Sequence, residues 1–217
     1  MEKLAYGNIT EDSLKFLNKS NVFTQYFDRY ADVQYPDMIK SSDEIAEIIS
    51  IQRQTRNSSN WNNIKKFITL CDGSMDDTFK VYLKKMRIPF DQDYIDKLVD
   101  ISHALGCLIM DLKVHFQRPR PFQVAYYTNQ KLHPMTTLSG QSPAFPSGHA
   151  CQGRFLTKVI TKDNPTKRVE LSKLSEQISK SRIIMGVHYP SDNFFGERIA
   201  NELWKQKSVQ KYLDLFE

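Results

Sequence analysis

Cysteine is scarce in this 217-residue chain. The three present, Cys71, Cys107 and Cys151, are an odd number and form neither a Cys-x-x-Cys pair nor a Cys/His zinc spacing. That argues against a disulfide framework and a structural zinc site, and leaves free thiols as the expectation. Long apolar runs are also missing. The most apolar stretch, residues 101–110, is about half of the ~20 residues a membrane helix needs, and the opening residues lack the apolar core of a secretory signal. A soluble, cytoplasmic protein is therefore expected. The sequons at Asn8, Asn18 and Asn57 should then stay unused, because glycosylation belongs to the secretory route. There is no internal repeat, no low-complexity tract, no His-Glu-x-x-His, no Asp-rich cluster and no Walker A loop, so no resident metal is expected. A net charge of +5 and a pI near 9.0 point to an anionic partner. No nucleic-acid motif or basic arm accompanies that charge, so nucleic acid is not the expected one.

What the chain does have is helical periodicity. Its length suits one domain over residues 1–217 with a proper core. In residues 94–116 the apolar positions Leu98, Ile101, Leu105, Leu108, Leu112 and Phe116 recur at three- and four-residue steps, the mark of one buried helix face. This helix should end near Gln117, because Pro119 and Pro121 remove donors and disfavour helix in the residues before them. Further helices are expected over 11–17, 42–56, 76–86, 149–161, 167–187 and 190–206. Residues 57–63 read as a surface loop, and 126–146 as a long irregular connection of the kind that often carries function. Strands are hard to find, and the expected class is all-α.

Three short motifs stand out: Lys113 with Arg120-Pro121, then Pro146-Ser147-Gly148-His149, then Ser181-Arg182 with His188 and Asp192. In the form Lys-x6-Arg-Pro, Pro-Ser-Gly-His and Ser-Arg-x5-His-x3-Asp they resemble the three signatures of the type-2 phosphatidic acid phosphatase superfamily. That superfamily includes bacterial acid phosphatases, lipid phosphate phosphatases and vanadium haloperoxidases. With common residues at roughly 5% of positions, all three motifs in order would coincide by chance on the order of once in 10⁸ chains. The resemblance spans residues 113–192; the first ninety or so share nothing nameable and read as an N-terminal helical part without an assigned role.

The residues themselves suit phosphoryl transfer, which needs fixed positive charge around the equatorial oxygens, an in-line nucleophile and an acid on the leaving oxygen. Lys113 and Arg120 are seven apart and so return to one helix face, which favours both as phosphate ligands. Arg118, five along, would point away and reads as a surface or rim arginine. Ser147 is an N-cap candidate, Gly148 lets a ligand approach the backbone, and the helix start presents N–H groups to an anion. Arg182 offers a bidentate fork. Asp192 falls in the first turn of a helix opened by Pro190, back toward His188, where a carboxylate can fix the imidazole tautomer. The resemblance adds roles: His188 as nucleophile, His149 as general acid, and phosphate bonds from the Ser147 hydroxyl and the Gly148 N–H. His103, His115 and His133 match no motif position and read as structural or rim residues, His133 being the likeliest exception because its loop leads into the second motif.

The resemblance thus implies a helical bundle and a metal-independent phosphatase that passes through phosphohistidine. No cofactor is implied, vanadate acting only as an inhibitor. The substrate would be a small phosphomonoester, with lipid phosphate at a membrane surface left open; Tyr126 and Tyr127 could line the substrate mouth. Two other readings compete: a vanadium-dependent haloperoxidase, disfavoured because such members are generally much longer, and a non-catalytic anion or nucleic-acid binder, disfavoured because every catalytic residue is present. A homo-oligomer is left open.

Overall fold

The apolar stripe of residues 94–116 forms a helix running Gln92–Phe116 in the computed structural model, which describes residues 9–216. The sequon at Asn8 and both ends of the expected 1–217 domain lie outside the described residues. The long helix starts where the Asp91 carboxylate accepts the Tyr94 N–H at 2.9 Å, and it ends at Gln117, whose φ of 53° is left-handed. Leu98, Ile101, Leu105, Leu108 and Leu112 are all buried, as the periodicity requires.

In chain order the helices are α1 (Glu11–Leu14), α2 (Phe27–Ala31), α3 (Met38–Arg56), α4 (Trp61–Gly73), α5 (Met75–Met86), the long α6 (Gln92–Phe116), α7 (Pro121–Tyr127), α8 (Gly148–Asp163), α9 (Arg168–Ile184), α10 (Pro190–Leu203) and α11 (Lys207–Asp214). No strand occurs among the described residues, so the all-α class holds. One large core joins α6, α8, α9, α10 and α11, with Phe23, Tyr30, Phe155 and Phe195 buried in it. A smaller core sets α3 and α7 against Ile183 and Tyr189.

Several expected boundaries move. The first helix stops at Leu14 rather than 17, α3 begins at Met38 because Asp37 caps Lys40 N–H at 2.9 Å, and α9 stops at Ile184 ahead of Gly186, which takes a φ of +74°. The asparagine-rich segment is loop only through Asn60. From Trp61 it is the first turn of α4, a helix whose inner side buries Ile68, Cys71 and Asp72. Pro121 opens the short α7, so the irregular connection runs over 128–146.

That connection is tied down along its length. Met135 N–H donates to Met185 O at 2.9 Å, Ala144 N–H donates to Arg118 O at 2.8 Å, and Gln52 and Arg56 of α3 both donate to His133 O. Where α10 crosses the start of α8, a Cβ on Gly196 would lie 2.5 Å from Ser147 O and 3.3 Å from Cys151 N. Only a hydrogen fits there, so Gly196 sets how closely the entrance of α8 approaches the start of α10.

Candidate active site

Six segments converge on one cavity of about 370 Å³: residues 10–16, α6, the α6–α7 link, the 128–146 connection, the entrance of α8 and the turn between α9 and α10. Lys113, Arg120, Gly148, His149 and His188 all line it. Ser147, Arg182 and Asp192 stand behind this wall, fully buried.

His188 follows the end of α9, where Gly186 reverses the chain, and Pro190 starts α10 two residues later. Its Nδ1 lies 3.2 Å from Asp192 Oδ2, while its Nε2 lies 2.9 Å from Arg120 NH1. A guanidinium only donates, so Nε2 must present its lone pair and the ring proton must sit on Nδ1, facing the carboxylate. The tautomer is thereby fixed from both sides. Arg120 also donates through Nε to Ser142 O at 2.7 Å and through NH1 to Val187 O at 2.8 Å. It is buried, and its fork is held in place by backbone oxygens.

Lys113 donates to Pro143 O and, at 3.4 Å, to Ala144 O. Burial, then the charge of Arg120, holds its ammonium well below the usual lysine range. The same influences, burial first and then Arg120 and Lys113, push His188 well below the ordinary histidine value. Arg120 and Arg182, set close to one lysine and an imidazole whose protonated forms they disfavour, make a field that a dianion would relieve.

His149 sits in the first turn of α8, capped by Ser147, whose hydroxyl accepts the Ala150 N–H at 3.4 Å. His149 Nε2 is 3.1 Å from Cys71 O. A carbonyl only accepts, so Nε2 carries a proton and any exchangeable acid proton must ride on Nδ1. Desolvation, followed by the charge of Arg182, lowers His149 to about 3.

Arg182, late in α9, points toward α4. Its NH1 donates to Asp72 Oδ1 at 2.8 Å and its NH2 to Ser139 Oγ at 2.9 Å; its buried Nε has no partner among the described residues. Asp72 also accepts from Thr137 Oγ1, Leu138 N–H and Ser139 Oγ, each at 2.7 Å. Burial would raise this carboxyl, yet Arg182, the Leu138 N–H and the Ser139 hydroxyl hold it well below the usual carboxylate range.

The motif reading named Lys113, Arg120, Gly148, His149 and His188, which line this cavity, and Ser147, Arg182 and Asp192, which are buried beside it. It missed Asp72 and the Cys71 carbonyl, which reach the site from α4 and have no motif to mark them. It also misplaced Arg118. Far from a rim position, Arg118 is buried and ion-paired with Asp192 Oδ1 at 2.6 Å and Glu44 Oε2 at 2.9 Å. The helical rule behind the rim expectation stops applying at Gln117, where the backbone turns left-handed. Of the remaining histidines, His115 contacts Ala31 O at 3.0 Å and His103 stacks edge-on with Phe16. Neither they nor His133 line the cavity, and Tyr126 and Tyr127 lie outside it, packed on each other at the surface.

Among the described residues no three His, Cys, Asp or Glu side chains gather as metal ligands, and no helix is long and apolar enough to cross a membrane. Residues 101–200 match the sequence model of the PAP2 superfamily. Over 80 residues the chain is 30% identical to a non-specific acid phosphatase of Salmonella typhimurium and 29% identical to one of Salmonella typhi. Each match covers 37% of this chain and 32% of the relative, so the chain spans about a third of the length of these curated relatives.

Proposed function

We propose that this chain, whose residues 101–200 are a PAP2-superfamily segment, is a phosphatase that hydrolyses phosphomonoesters through a phosphohistidine. The observation that carries this reading is the fixed tautomer of His188. Its Nε2 lone pair faces a cavity shared with two buried cations and a second histidine. Nε2 attacks phosphorus; Lys113, Arg120 and the Gly148 N–H take up the charge on the equatorial oxygens, and Arg182 adds its field from behind. Arg120 NH1 exchanges His188 Nε2 for a phosphate oxygen while keeping Val187 O. The P–O bond to the leaving alkoxide breaks as His149 delivers its Nδ1 proton to that oxygen. In the second step His149 accepts a proton from water, the oxygen attacks phosphorus, and the P–N bond opens to return His188 and phosphate. The positive charge comes from side chains, so the reading requires no metal.

A hydrolysis panel of nucleotides, sugar phosphates, diphosphates and phosphatidic acid, run in chelator with and without vanadate, tests the reading. Phosphate release that survives chelation and is inhibited by vanadate is expected, with water-soluble monoesters preferred. Failure on every substrate, or activity only after metal is restored, overturns it, and halide oxidation with vanadate and peroxide would move the chain to the haloperoxidases.

Binding of the anion should be linked to protons. Burial first, then the charge of Arg182 with a smaller part from Lys113, holds His149 at about 3; a bound dianion would offset the cationic part of that shift and so raise His149. A group whose pKa rises on binding takes up a proton, and affinity then increases as pH falls through the bound-state value. Calorimetry of vanadate binding in buffers of different ionisation enthalpy should show net uptake near neutral pH. His149→Asn should take up less. Equal uptake by both proteins would mean that His149 does not respond to the anion.

A further inference from the structure

Arg118 matches no position of the three motifs, yet it is among the largest fully buried side chains of the protein. Its guanidinium carbon lies over the Tyr189 ring, 3.8 Å from the centroid, and its donors are divided between two carboxylates. NH1 reaches Asp192 Oδ1 at 2.6 Å and Ser191 Oγ at 2.7 Å; NH2 reaches Glu44 Oε2 and Ser41 Oγ, both at 2.9 Å. Glu44 grips the start of α10 as well, accepting the Ser191 N–H at 2.7 Å and the Ser191 hydroxyl at 2.9 Å. Asp192 is left with Oδ2 for the Tyr189 N–H at 2.9 Å and for His188 Nδ1.

We propose that Arg118 is a positioning residue that locks the Asp192 carboxylate plane against His188, with Glu44 of α3 as its far anchor. The carboxylate torsion of an aspartate is intrinsically broad. A single bond from Tyr189 N–H fixes one oxygen, and only a donor on the other oxygen fixes the plane. A planar guanidinium supplies that donor in a set direction, which an ammonium does not. Burial pushes the Asp192 carboxyl up, and Arg118 is the largest of the influences opposing that shift. Glu44 and Asp192 in turn hold the Arg118 guanidinium firmly charged against its own burial. The chain Glu44–Arg118–Asp192–His188 thus makes α3, which lies outside the matched residues 101–200, part of the working site. What His188 does chemically rests on the phosphatase reading above; the orientation of its ring does not.

The test separates the two. In ¹⁵N-imidazole spectra the wild type should show His188 as the Nδ1–H tautomer with a slowly exchanging proton. Arg118→Met should keep the tautomer, which Arg120 also imposes on Nε2, but show fast exchange and a shifted Nδ1 signal, and Arg118→Lys should not restore the wild-type pattern. Unchanged His188 signals in folded Arg118→Met overturn the proposal. Should loss of the buried pair prevent folding, Glu44→Gln carries the same test, and unchanged signals there overturn it too. In kinetics, kcat of Arg118→Met should fall about 100-fold, as for a small misplacement of a reacting group, with phosphate affinity within about threefold. The Arg118→Met/Asp192→Asn double variant should lie within about threefold of Asp192→Asn alone, since coupled residues are non-additive. Losses that multiply would reduce Arg118 to a purely structural ion pair. An active His188→Ala enzyme would sink the nucleophile assignment, while the imidazole spectra would still decide the clamp.

Discussion

His188→Ala is expected to abolish turnover while leaving the anion site in working order. On the proposed mechanism the substitution removes the covalent step, and the fall in kcat should be at least about 10⁴-fold, or ~5.4 kcal/mol at 1.36 kcal/mol per decade. Phosphate or vanadate binding should weaken far less. Lys113 and Arg120 are held by Pro143 O, Ala144 O, Ser142 O and Val187 O, none of which depends on the imidazole. Arg120 NH1 loses one acceptor in the variant, which makes it more available to a phosphate oxygen. The measurement is kcat beside the vanadate inhibition constant, on protein whose unfolding midpoint shows it is folded. Retention of more than about a tenth of wild-type kcat, a barrier change under ~1.4 kcal/mol, would remove His188 from the nucleophile's role.

The parts of the site that could be read from sequence are those fixed by short-range geometry. Lys113 lies in the last turn of a helix whose apolar stripe is unmistakable, Ser147-Gly148-His149 is a helix entrance, and Asp192 sits one turn from His188 behind a proline. Each depends on neighbours within a few residues. Asp72, the Cys71 carbonyl and Glu44 depend on contacts 65 to 147 residues away in the chain, which no local period reveals. The asparagine-rich start of α4 hid that helix, because its polar first turn looks like the loop before it, while the residues that bury it come later at Ile68, Cys71 and Asp72. Arg118 was misplaced for a different reason. A helical spacing was carried one residue past the left-handed Gln117, and beyond that point the side chain's direction follows the turn rather than the helix.

His149→Ala should expose the two steps of the reaction by separating substrates according to their leaving groups. An alkoxide leaves poorly without a proton, so alkyl phosphates should lose about 10²–10⁴-fold in kcat/KM, the span general acid catalysis contributes. An aryl oxide such as nitrophenolate leaves unprotonated, and its first turnover should fall less than about tenfold. The proposed second step is different, because in it water would need His149 as base whichever alcohol has left. The variant should therefore release nitrophenol in a burst and then stall, with phosphate held on His188 Nε2 as an acid-labile, base-stable adduct. The plot of log kcat/KM against leaving-group pKa should steepen relative to wild type. Cys71 O holds only Nε2, so removing the ring vacates the proton carrier without disturbing Lys113, Arg120 or the His188–Asp192 pair. An equal loss on alkyl and aryl substrates with no burst would mean that His149 orients substrate or shapes the α8 entrance, and the proton for the leaving oxygen would have to come from another group on the cavity wall.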